Sequence, residues 1–242
     1  MSKYIVDELS VFFPCYNEEN NISNTVSKAI SILKDIAKKW EIILVNDGSK
    51  DNTAKVLDQI KSVNPKEIKI ITHNPNRGYG GALKSGFYNS KYQWIAFTDS
   101  DGQFDFEEIT KFFEKQKETK SDVVIGYYLS RQVSKTTILT SKIWEIIVFI
   151  LFGLKVTDID CGFKLINKKV VETIPKLEAE RGAFISSEFL IKTKKAGFKI
   201  TEIGVHHYPR IEGKATGRNI KVIIKSFADL FRLWYKINFK RA

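Results

Sequence analysis

Cysteine is scarce in this sequence, and it has no long apolar run. Two cysteines among 242 residues exclude a disulfide-stabilised scaffold, which needs several pairs. The longest apolar stretch, 143–154, contains Glu145 and Gly153 and is shorter than the about 18 to 20 residues that a membrane-spanning helix needs. Asp7 and Glu8 precede a short apolar run near the N-terminus, which is not the pattern of a signal peptide. We therefore expect a cytosolic chain in a reducing compartment.

Internal repeats and low-complexity segments are also missing. Apolar residues make up 43% and charged residues 28% of the chain, a composition that excludes a disordered or collagen-like protein. At about 150 residues per domain, the length fits one large domain or two small ones. The continuous pattern favours one catalytic-type domain at 1–215, elaborated by a C-terminal helix at 216–242.

The net charge of +11 is concentrated in the second half of the chain. Residues 1–125 contain 17 basic and 18 acidic side chains, whereas residues 126–242 contain 22 basic and 10 acidic ones. A basic half joined to a neutral half indicates an anionic partner that meets one face of the protein. Nucleic acid, an anionic bilayer and a phosphorylated substrate all satisfy this condition.

Short runs typical of β-strands alternate with helical patterns along the first half. The predicted strands are 9–13, 41–45, 68–72, 94–98 and 122–126. This alternation predicts an α/β fold with a mostly parallel, Rossmann-like sheet and helices on both faces. Ligands of such sheets bind outside the carboxyl ends of the strands. The candidate site therefore comprises the loops after Phe13, Val45, Thr72 and Thr98.

Two of these loops have the composition of a nucleotide site. The loop 14–19 offers Tyr16, which can lie against a base or ribose, and the loop 46–49 offers Asp47, which can accept hydrogen bonds from either. Asn, Asp and Ser at such junctions are also common N-caps of helices. Each loop alone fits that structural interpretation, but two adjacent acidic loops at one edge favour a site.

The loop after the fourth strand places Asp99 and Asp101 two residues apart. Paired carboxylates suit a hard cation such as Mg²⁺ or Mn²⁺ that bridges to a diphosphate. An exposed acidic turn is the structural alternative. An EF-hand is excluded because the twelfth loop position, counted from Asp99, is Thr110 and not a glutamate.

The glycine-rich segment 77–81 resembles a phosphate-binding loop, in which backbone N–H groups form a cradle for the phosphate. It does not match Gly-x-Gly-x-x-Gly, because the third glycine position is Leu83, and the chain has no Walker Gly-Lys-Ser/Thr. A dehydrogenase and a P-loop ATPase are thereby disfavoured. The structural alternative is a tight turn before a helix that starts near Ala82.

Taken in order, the motifs resemble those of family 2 glycosyltransferases of GT-A fold. They are FPCYNEE at 13–19, VNDGS at 45–49, NRG at 76–78 and DSDGQ at 99–103. Farther on, DIDCGFK at 158–164, HYPR at 207–210 and GK at 213–214 are similar to motifs of the polyprenyl-phosphate sugar transferases. That branch includes the dolichyl-phosphate mannose and glucose synthases. The likeness extends over nearly the whole chain.

The resemblance implies a role for ten side chains. Nucleotide-binding residues would be Pro14, Tyr16, Glu18 and Asp47. Metal ligands would be Asp99, Asp101 and Gln103, and phosphate-binding residues would be Arg131, Arg210 and Lys214. Of these, Asp101, Arg131 and Arg210 would act in catalysis by stabilising charge. The structural alternative for the basic residues is solvated surface charge.

The implied reaction is inverting, metal-dependent transfer of a sugar from a nucleotide sugar to a polyprenyl or dolichyl phosphate. Candidate donors are UDP-glucose, UDP-N-acetylglucosamine and GDP-mannose, with a slight preference for a UDP-sugar. A phosphate acceptor hardly needs a general base, because its second pKa is about 6. The main alternative is a family 2 enzyme with a hydroxyl acceptor, which would use Glu188 as base. Otherwise Glu188 is only a first-turn helix residue.

Two other classes are less favoured. A sugar nucleotidyltransferase would have a basic, glycine-rich first loop, whereas the loop 14–19 is acidic and lacks glycine. A nucleic-acid-binding module agrees with the charge of +11 but not with carboxylates at the ligand edge, so we expect no nucleic acid partner. His206 and His207 are interpreted as structural, because neighbours on a strand point to opposite faces.

Two apolar segments of the basic half predict attachment to a membrane surface. In the last 25 residues, an apolar stripe that includes Phe227, Leu230, Phe231 and Trp234 opposes a basic face, as in a basic amphipathic helix. The second segment is 142–155, which is too apolar for an ordinary surface helix. We expect peripheral attachment at the cytoplasmic face. The alternative is a terminal helix packed on the core.

Overall fold

In a computed structural model of the chain, seven strands form a single sheet. The structure describes residues 4–130, 135–180, 182, 184–210 and 220–239. The strands are β1 (Val6–Cys15), β2 (Ala37–Asn46), β3 (Ile68–Thr72), β4 (Trp94–Phe97), β5 (Val123–Tyr128), β6 (Lys164–Asn167) and β7 (Ile200–Val205). They lie in the order β3-β2-β1-β4-β6-β5-β7 across the sheet. Strand β6 is antiparallel to β4 and β5, and the other neighbours are parallel.

Helices connect most of the strands. They are α1 (Ile22–Ile36), α2 (Thr53–Val63), α3 (Tyr79–Asn89), α4 (Ile109–Thr119), α5 (Lys135–Phe152), α6 (Lys168–Thr173), α7 (Phe184–Lys195) and α8 (Ile220–Phe239). A short 3₁₀ turn, Phe106–Glu108, precedes α4. All five predicted strands are confirmed, as is the mostly parallel sheet. The predicted strands include neither β6 nor β7.

Alternation along β1 sends apolar side chains to both faces of the sheet. Val11 lies in one core with residues of α1 and α4, whereas its neighbour Phe12 lies in the other with residues of α3, α5 and α7. The Phe12 ring stacks on Phe97 at 5.0 Å. A Cβ at Gly86 of α3 would lie 2.2 Å from the Phe12 ring, so only glycine lets α3 approach β1 so closely. Helices on both faces, as predicted, bury the sheet.

Helix α8 packs on the second core through part of its predicted stripe. Leu230 of the stripe is buried, as is Leu233, which the predicted stripe does not include. Phe227 of the stripe contacts the Trp144 ring of α5 edge-to-face at 5.0 Å. Phe231, which belongs to the same predicted stripe, is 52% exposed. The core-packing interpretation therefore holds for most of the described stripe.

Helix α5 differs, because it buries one side and exposes another. Val148 and Phe152 are buried. An apolar stripe at intervals of three or four residues faces outward: Leu139 at 61%, Ile143 at 45%, Ile146 at 56% and Ile150 at 71% exposure. Among the described residues, no helix has the length and apolar character required to span a membrane.

Candidate active site

A cavity of about 630 Å³ opens at the carboxyl ends of β1, β2 and β4. Eight of the ten predicted site residues line it: Pro14, Tyr16, Glu18, Asp47, Asp99, Asp101, Gln103 and Arg210. The other two, Arg131 and Lys214, lie outside the described residues. The sheet thus brings together loops that are far apart in the sequence. The roles of the individual side chains stay predictions.

Hydrogen bonds hold the loop that follows β4. The Ser100 hydroxyl donates to the carbonyl oxygen of Pro14 at 2.7 Å. The backbone N–H of Gln103 donates to Asp101 Oδ1 at 3.1 Å, across Gly102, whose φ of +75° favours glycine. Asp101 is only 8% exposed. The loop is therefore a constrained turn at the cavity and not the exposed acidic turn of the structural alternative.

Asp99 is packed against glycine on one side. A Cβ at Gly162 would lie 2.4 Å from Asp99 Oδ2, so any larger residue would displace the carboxylate. The Tyr79 hydroxyl donates to Asp99 Oδ1 at 3.0 Å. Desolvation of the carboxyl group and the negative charge of Asp101 raise the pKa of Asp99 to about 7. The protein alone does not fully compensate the negative charge of this cavity.

Arg210 compensates part of that charge. Its Nη1 lies 3.3 Å from Asp101 Oδ2, and its Nη2 donates to Glu18 Oε1. Burial raises the pKa of Glu18, although the Asn21 amide and the nearby guanidinium act in the opposite direction. The side chain that the resemblance assigns to phosphate is therefore paired with carboxylates of the same cavity.

The chemistry of the cavity fits a divalent cation, although the protein does not form a complete cage. Asp99 and Asp101 offer the oxygen ligands that Mg²⁺ and Mn²⁺ prefer. Nowhere in the described parts of the chain do three or more His, Cys, Asp and Glu side chains form a group that could hold a metal ion. Mg²⁺ is usually bound by one or two carboxylates together with substrate phosphates. Gln103, the third predicted ligand, uses its Nε2 to donate to the carbonyl of Tyr208 at 2.8 Å.

Asp47 is buried and organises the loop that follows β3. Its carboxylate accepts hydrogen bonds from the backbone N–H groups of Arg77 and Gly78, both at 2.8 Å. His73 Nδ1 lies 2.6 Å from Asp47 Oδ1, and its Nε2 lies 2.8 Å from the Ser85 hydroxyl. Asp47 thus shapes the wall of the cavity in addition to lining it.

The glycine-rich segment 77–81 is a tight turn in this structure. Gly78 has a φ of +83°, and α3 begins at Tyr79, three residues before the predicted start. The N–H of Gly81 donates to the carbonyl of Glu180 at 3.0 Å. The backbone N–H groups of Arg77, Gly78 and Gly81 are therefore all used within the protein. This favours the turn over a phosphate cradle.

Lys164 is a buried cation that the sequence reasoning did not single out. It is 1% exposed, and its Nζ donates to the carbonyl oxygens of Ile159 and Cys161. Burial lowers the pKa of Lys164, while its charge lowers the pKa of Asp99. Its position inside the DIDCGFK motif was the only available signal. His73 was also missed, although it directly follows β3.

The remaining candidates lie apart from this cavity. His206 Nδ1 is 2.9 Å from Glu108 Oε1, whereas the His207 ring packs against Tyr128 at 4.6 Å, so the two histidines have separate structural contacts. Glu188 is not among the described residues that line the cavity. It lies in the second turn of α7, which corrects the expected first-turn position.

A mostly parallel α/β sheet with a cavity at the carboxyl ends of its strands defines the class of doubly wound α/β proteins, whose ligands bind at that edge. Within that class, the model of the family "Glycosyl transferase family 2" matches residues 10–174. The chain belongs to this family. The resemblance inferred from the motifs is thereby confirmed.

Relatives and solved structures agree with this assignment. A dolichyl-phosphate beta-glucosyltransferase of Saccharomyces cerevisiae is 33% identical over 221 residues, which cover 81% of this chain and 66% of that protein. An undecaprenyl-phosphate 4-deoxy-4-formamido-L-arabinose transferase of Pseudomonas fluorescens is 28% identical, covering 94% and 65%. The chain thus spans about two thirds of the length of these relatives.

The fold is shared with a glucosyl-3-phosphoglycerate synthase from Mycobacterium tuberculosis, solved in complex with Mn²⁺, UDP and phosphoglyceric acid. The TM-score is 0.68 at 15% sequence identity, and the match covers 98% of this chain and 80% of that one. The GT-A fold is thereby confirmed. At this identity the likeness concerns the fold alone.

Proposed function

We propose that the protein transfers a sugar from a nucleotide sugar to a polyprenyl phosphate. The observation that carries this proposal is the convergence of Glu18, Asp99, Asp101 and Arg210 in one cavity at the carboxyl edge of the sheet. Carboxylates beside a guanidinium suit a ligand in which phosphate and a divalent cation occur together. The names of the yeast and Pseudomonas relatives support the class of acceptor.

The donor nucleotide would occupy the part of the cavity formed by the first two loops. Pro14 and Tyr16 offer apolar and aromatic surface to a base or ribose, and Asp47 lies beside them in the lining. The cavity of about 630 Å³ is within the range of about 300 to 1,000 Å³ that is usual for ligand sites. UDP is the nucleotide that we propose, in keeping with the slight preference that the sequence motifs give.

Charge stabilisation would provide most of the catalysis. Asp99 and Asp101, with Gln103, would hold Mg²⁺ or Mn²⁺, which supplies positive charge to the leaving diphosphate. Arg210, released from Asp101, would donate to phosphate oxygens in the same cavity. Arg131 and Lys214 are proposed to assist it at the phosphates.

The acceptor oxygen would attack the anomeric carbon from the face opposite to the diphosphate. One bond forms between that carbon and the acceptor phosphate oxygen, and the bond to the nucleotide diphosphate breaks, so the configuration inverts. At neutral pH the acceptor monophosphate is mostly dianionic, because its second pKa is about 6. The attacking oxygen has no proton to lose, and a general base is unnecessary.

The outward stripe of α5 would bring the enzyme to a lipid acceptor. Ile146 and Ile150 are more than half exposed, and the second half of the chain carries the basic excess. Exposed apolar side chains on a chain with excess positive charge favour the surface of an anionic bilayer. We therefore propose peripheral attachment at the cytoplasmic face, with α5 as the contact.

The test is transfer of labelled sugar into solvent-extractable lipid with Mn²⁺ and a short polyprenyl phosphate. UDP-glucose, UDP-N-acetylglucosamine and GDP-mannose are assayed in parallel, and Asp101→Ala serves as the inactive control with an unchanged fold. Lipid-linked label from one donor is the expected result. Metal-dependent hydrolysis of a donor without lipid label would refute the phosphate acceptor and favour a hydroxyl acceptor. Full activity in the presence of chelator would refute the metal.

Membrane attachment is tested separately by co-sedimentation with anionic liposomes at low salt. Ile146→Lys and Ile150→Lys together should abolish binding without lowering the melting temperature, because both side chains are exposed. Val63→Lys is the matched control, since Val63 is a 79% exposed apolar residue of α2. Unchanged binding of the α5 variant would contradict this attachment surface.

A further inference from the structure

Glu188 belongs to a buried charged cluster between α7 and the segment 176–180. It is 2% exposed. Its Oε1 accepts from the backbone N–H of Glu178 and its Oε2 from that of Ala179, both at 2.8 Å. Lys192 lies one turn later, and its Nζ donates to Glu188 Oε1 at 2.6 Å. The same Nζ donates to the carbonyl oxygen of Lys176, in the segment, at 2.6 Å. One carboxylate and one ammonium thus hold the segment against α7.

The same segment packs on the first turn of α3. A Cβ at Gly80 would lie 2.7 Å from a carbonyl oxygen of the segment, so the two backbones approach closely because the helix has glycine there. The N–H of Gly81 donates to the carbonyl of Glu180 at 3.0 Å. Nearer the end of the helix, the N–H of Leu177 donates to the Tyr88 hydroxyl at 2.9 Å. The segment therefore joins α7 to α3.

The first turn of α3 is in turn a wall of the donor cavity. Arg77, which precedes the helix, pairs with the Glu180 carboxylate at 2.8 Å and donates its backbone N–H to Asp47 at 2.8 Å. Tyr79 donates to Asp99. A continuous set of contacts thus leads from the cluster on α7 to two carboxylates of the cavity.

We infer that Glu188 is a positioning residue, which fixes the first turn of α3 and through it the donor cavity, and is not a general base. Its oxygens already accept three hydrogen bonds from the protein. It lines a different cavity of about 320 Å³, which shares no described lining residue with the donor cavity. The inference rests on the proposed function and deepens it, because an enzyme without this base suits an acceptor that is already anionic.

The test compares Glu188→Gln with Glu41→Gln in the full chain. Glutamine has nearly the shape of glutamate but offers an N–H₂ where one backbone N–H now finds an acceptor. It also removes the charged partner of Lys192, which keeps only its carbonyl acceptor in the segment. Glu41 is a matched control, because it is a buried carboxylate with hydrogen bonds from Ser10 and from the backbone of Lys91. Both variants lose stability, but only Glu188→Gln should alter the donor cavity.

Hydrogen exchange provides the first readout and needs neither donor nor acceptor. In Glu188→Gln, amide exchange should accelerate by about tenfold in 176–180 and also in 77–83, a factor that corresponds to about 1.4 kcal/mol. Glu41→Gln should leave both segments unchanged. Faster exchange confined to 176–180 and α7 would overturn the inference, because the effect of the substitution would then not extend to the wall of the donor cavity.

Kinetics provide the second readout. A positioning role predicts that Glu188→Gln raises the KM of the nucleotide sugar by about fivefold to tenfold, with kcat within about threefold of wild type. The decrease of kcat at low pH, which is the acidic limb of its pH profile, should persist in this variant. A general base predicts the opposite pattern, a loss of about 10² to 10⁴ in kcat with unchanged KM and no acidic limb. That pattern would overturn the inference.

A milder variant keeps the test decisive if Glu188→Gln does not fold. Tyr88→Phe removes only the hydrogen bond from Leu177, at a residue that is 47% exposed, and it should produce a smaller change in the same two segments. No change in 77–83 would again contradict the inference. Failure of the proposed function is recognised separately, because it removes lipid transfer by the wild type while leaving the exchange pattern intact.

Discussion

Replacement of Arg210 by methionine should strengthen manganese binding to the nucleotide-free protein while it weakens sugar transfer. Methionine retains part of the apolar stem but removes the guanidinium that pairs with Asp101 and Glu18. A cation that binds between Asp99 and Asp101 must first displace this guanidinium. The ion pair should therefore compete with the proposed metal before the donor binds, whereas the same guanidinium should assist at the donor phosphates afterwards.

The size of the effect follows from the geometry. Unit charges 4 Å apart attract by about 4 kcal/mol at an effective dielectric constant of 20, and Arg210 Nη1 lies 3.3 Å from Asp101 Oδ2. The Arg210 side chain is 21% exposed, so solvent screens the pair and hydrates the guanidinium once it is displaced. A net coupling of about 1.4 kcal/mol remains, which corresponds to about tenfold tighter manganese binding.

The assay is a titration of the nucleotide-free protein with Mn²⁺, followed by electron paramagnetic resonance of the free ion. It is performed at pH 8, above the pKa of about 7 of Asp99, so that protons do not compete. Arg232→Met is the control, because this 69% exposed arginine of α8 pairs with Asp229. Manganese affinity equal to that of wild type, or weaker, would refute the competition between Arg210 and the metal.

Two further substitutions test the environment of Asp99. Because the pKa of Asp99 is raised above its unfolded value, the folded protein binds the proton more tightly, and its stability falls as pH rises from about 4 to about 7. Asp99→Asn should therefore raise the melting temperature of the metal-free protein at pH 8 and flatten its pH dependence; an unchanged profile would contradict the raised pKa. Gly162→Ala places a Cβ 2.4 Å from Asp99 Oδ2 and should weaken manganese binding on the order of tenfold with an unchanged circular dichroism spectrum. Wild-type affinity would show that Asp99 tolerates the displacement.

The five strands that the sequence predicted share a strong local signal. Each predicted strand is a short β-rich run, and the predicted alternation with helices matches β1 to β5. Strand β6 lacks that signal, because it begins with the buried Lys164, a residue type that normally lies at the surface. Strand β7 is half-buried and reads as a mixture of apolar and polar residues.

For the site, the sequence predicted which residues meet but not how they pair. The rule that ligands bind at the carboxyl edge of a parallel sheet was enough to select the loops of Tyr16, Asp47 and Asp99. The partners of these residues depend on tertiary contacts across large sequence separations. Arg210 reaches Glu18 across 192 positions, and Asp47 binds a loop 30 residues away. Periodicity and spacing carry no information about contacts of that kind.

The charge of the cavity indicates how donor and metal must depend on each other. Four carboxylates, those of Glu18, Asp47, Asp99 and Asp101, line one cavity with the guanidinium of Arg210. A diphosphate adds further negative charge, which such a surface repels unless a cation enters with it. Asp101, which pairs with Arg210, would have to exchange this guanidinium for the cation, and the donor phosphates would offer the guanidinium new acceptors. Each of the two proposed ligands should therefore remove an obstacle to the other, so we expect their binding to be cooperative, with a coupling that is reciprocal by thermodynamic necessity.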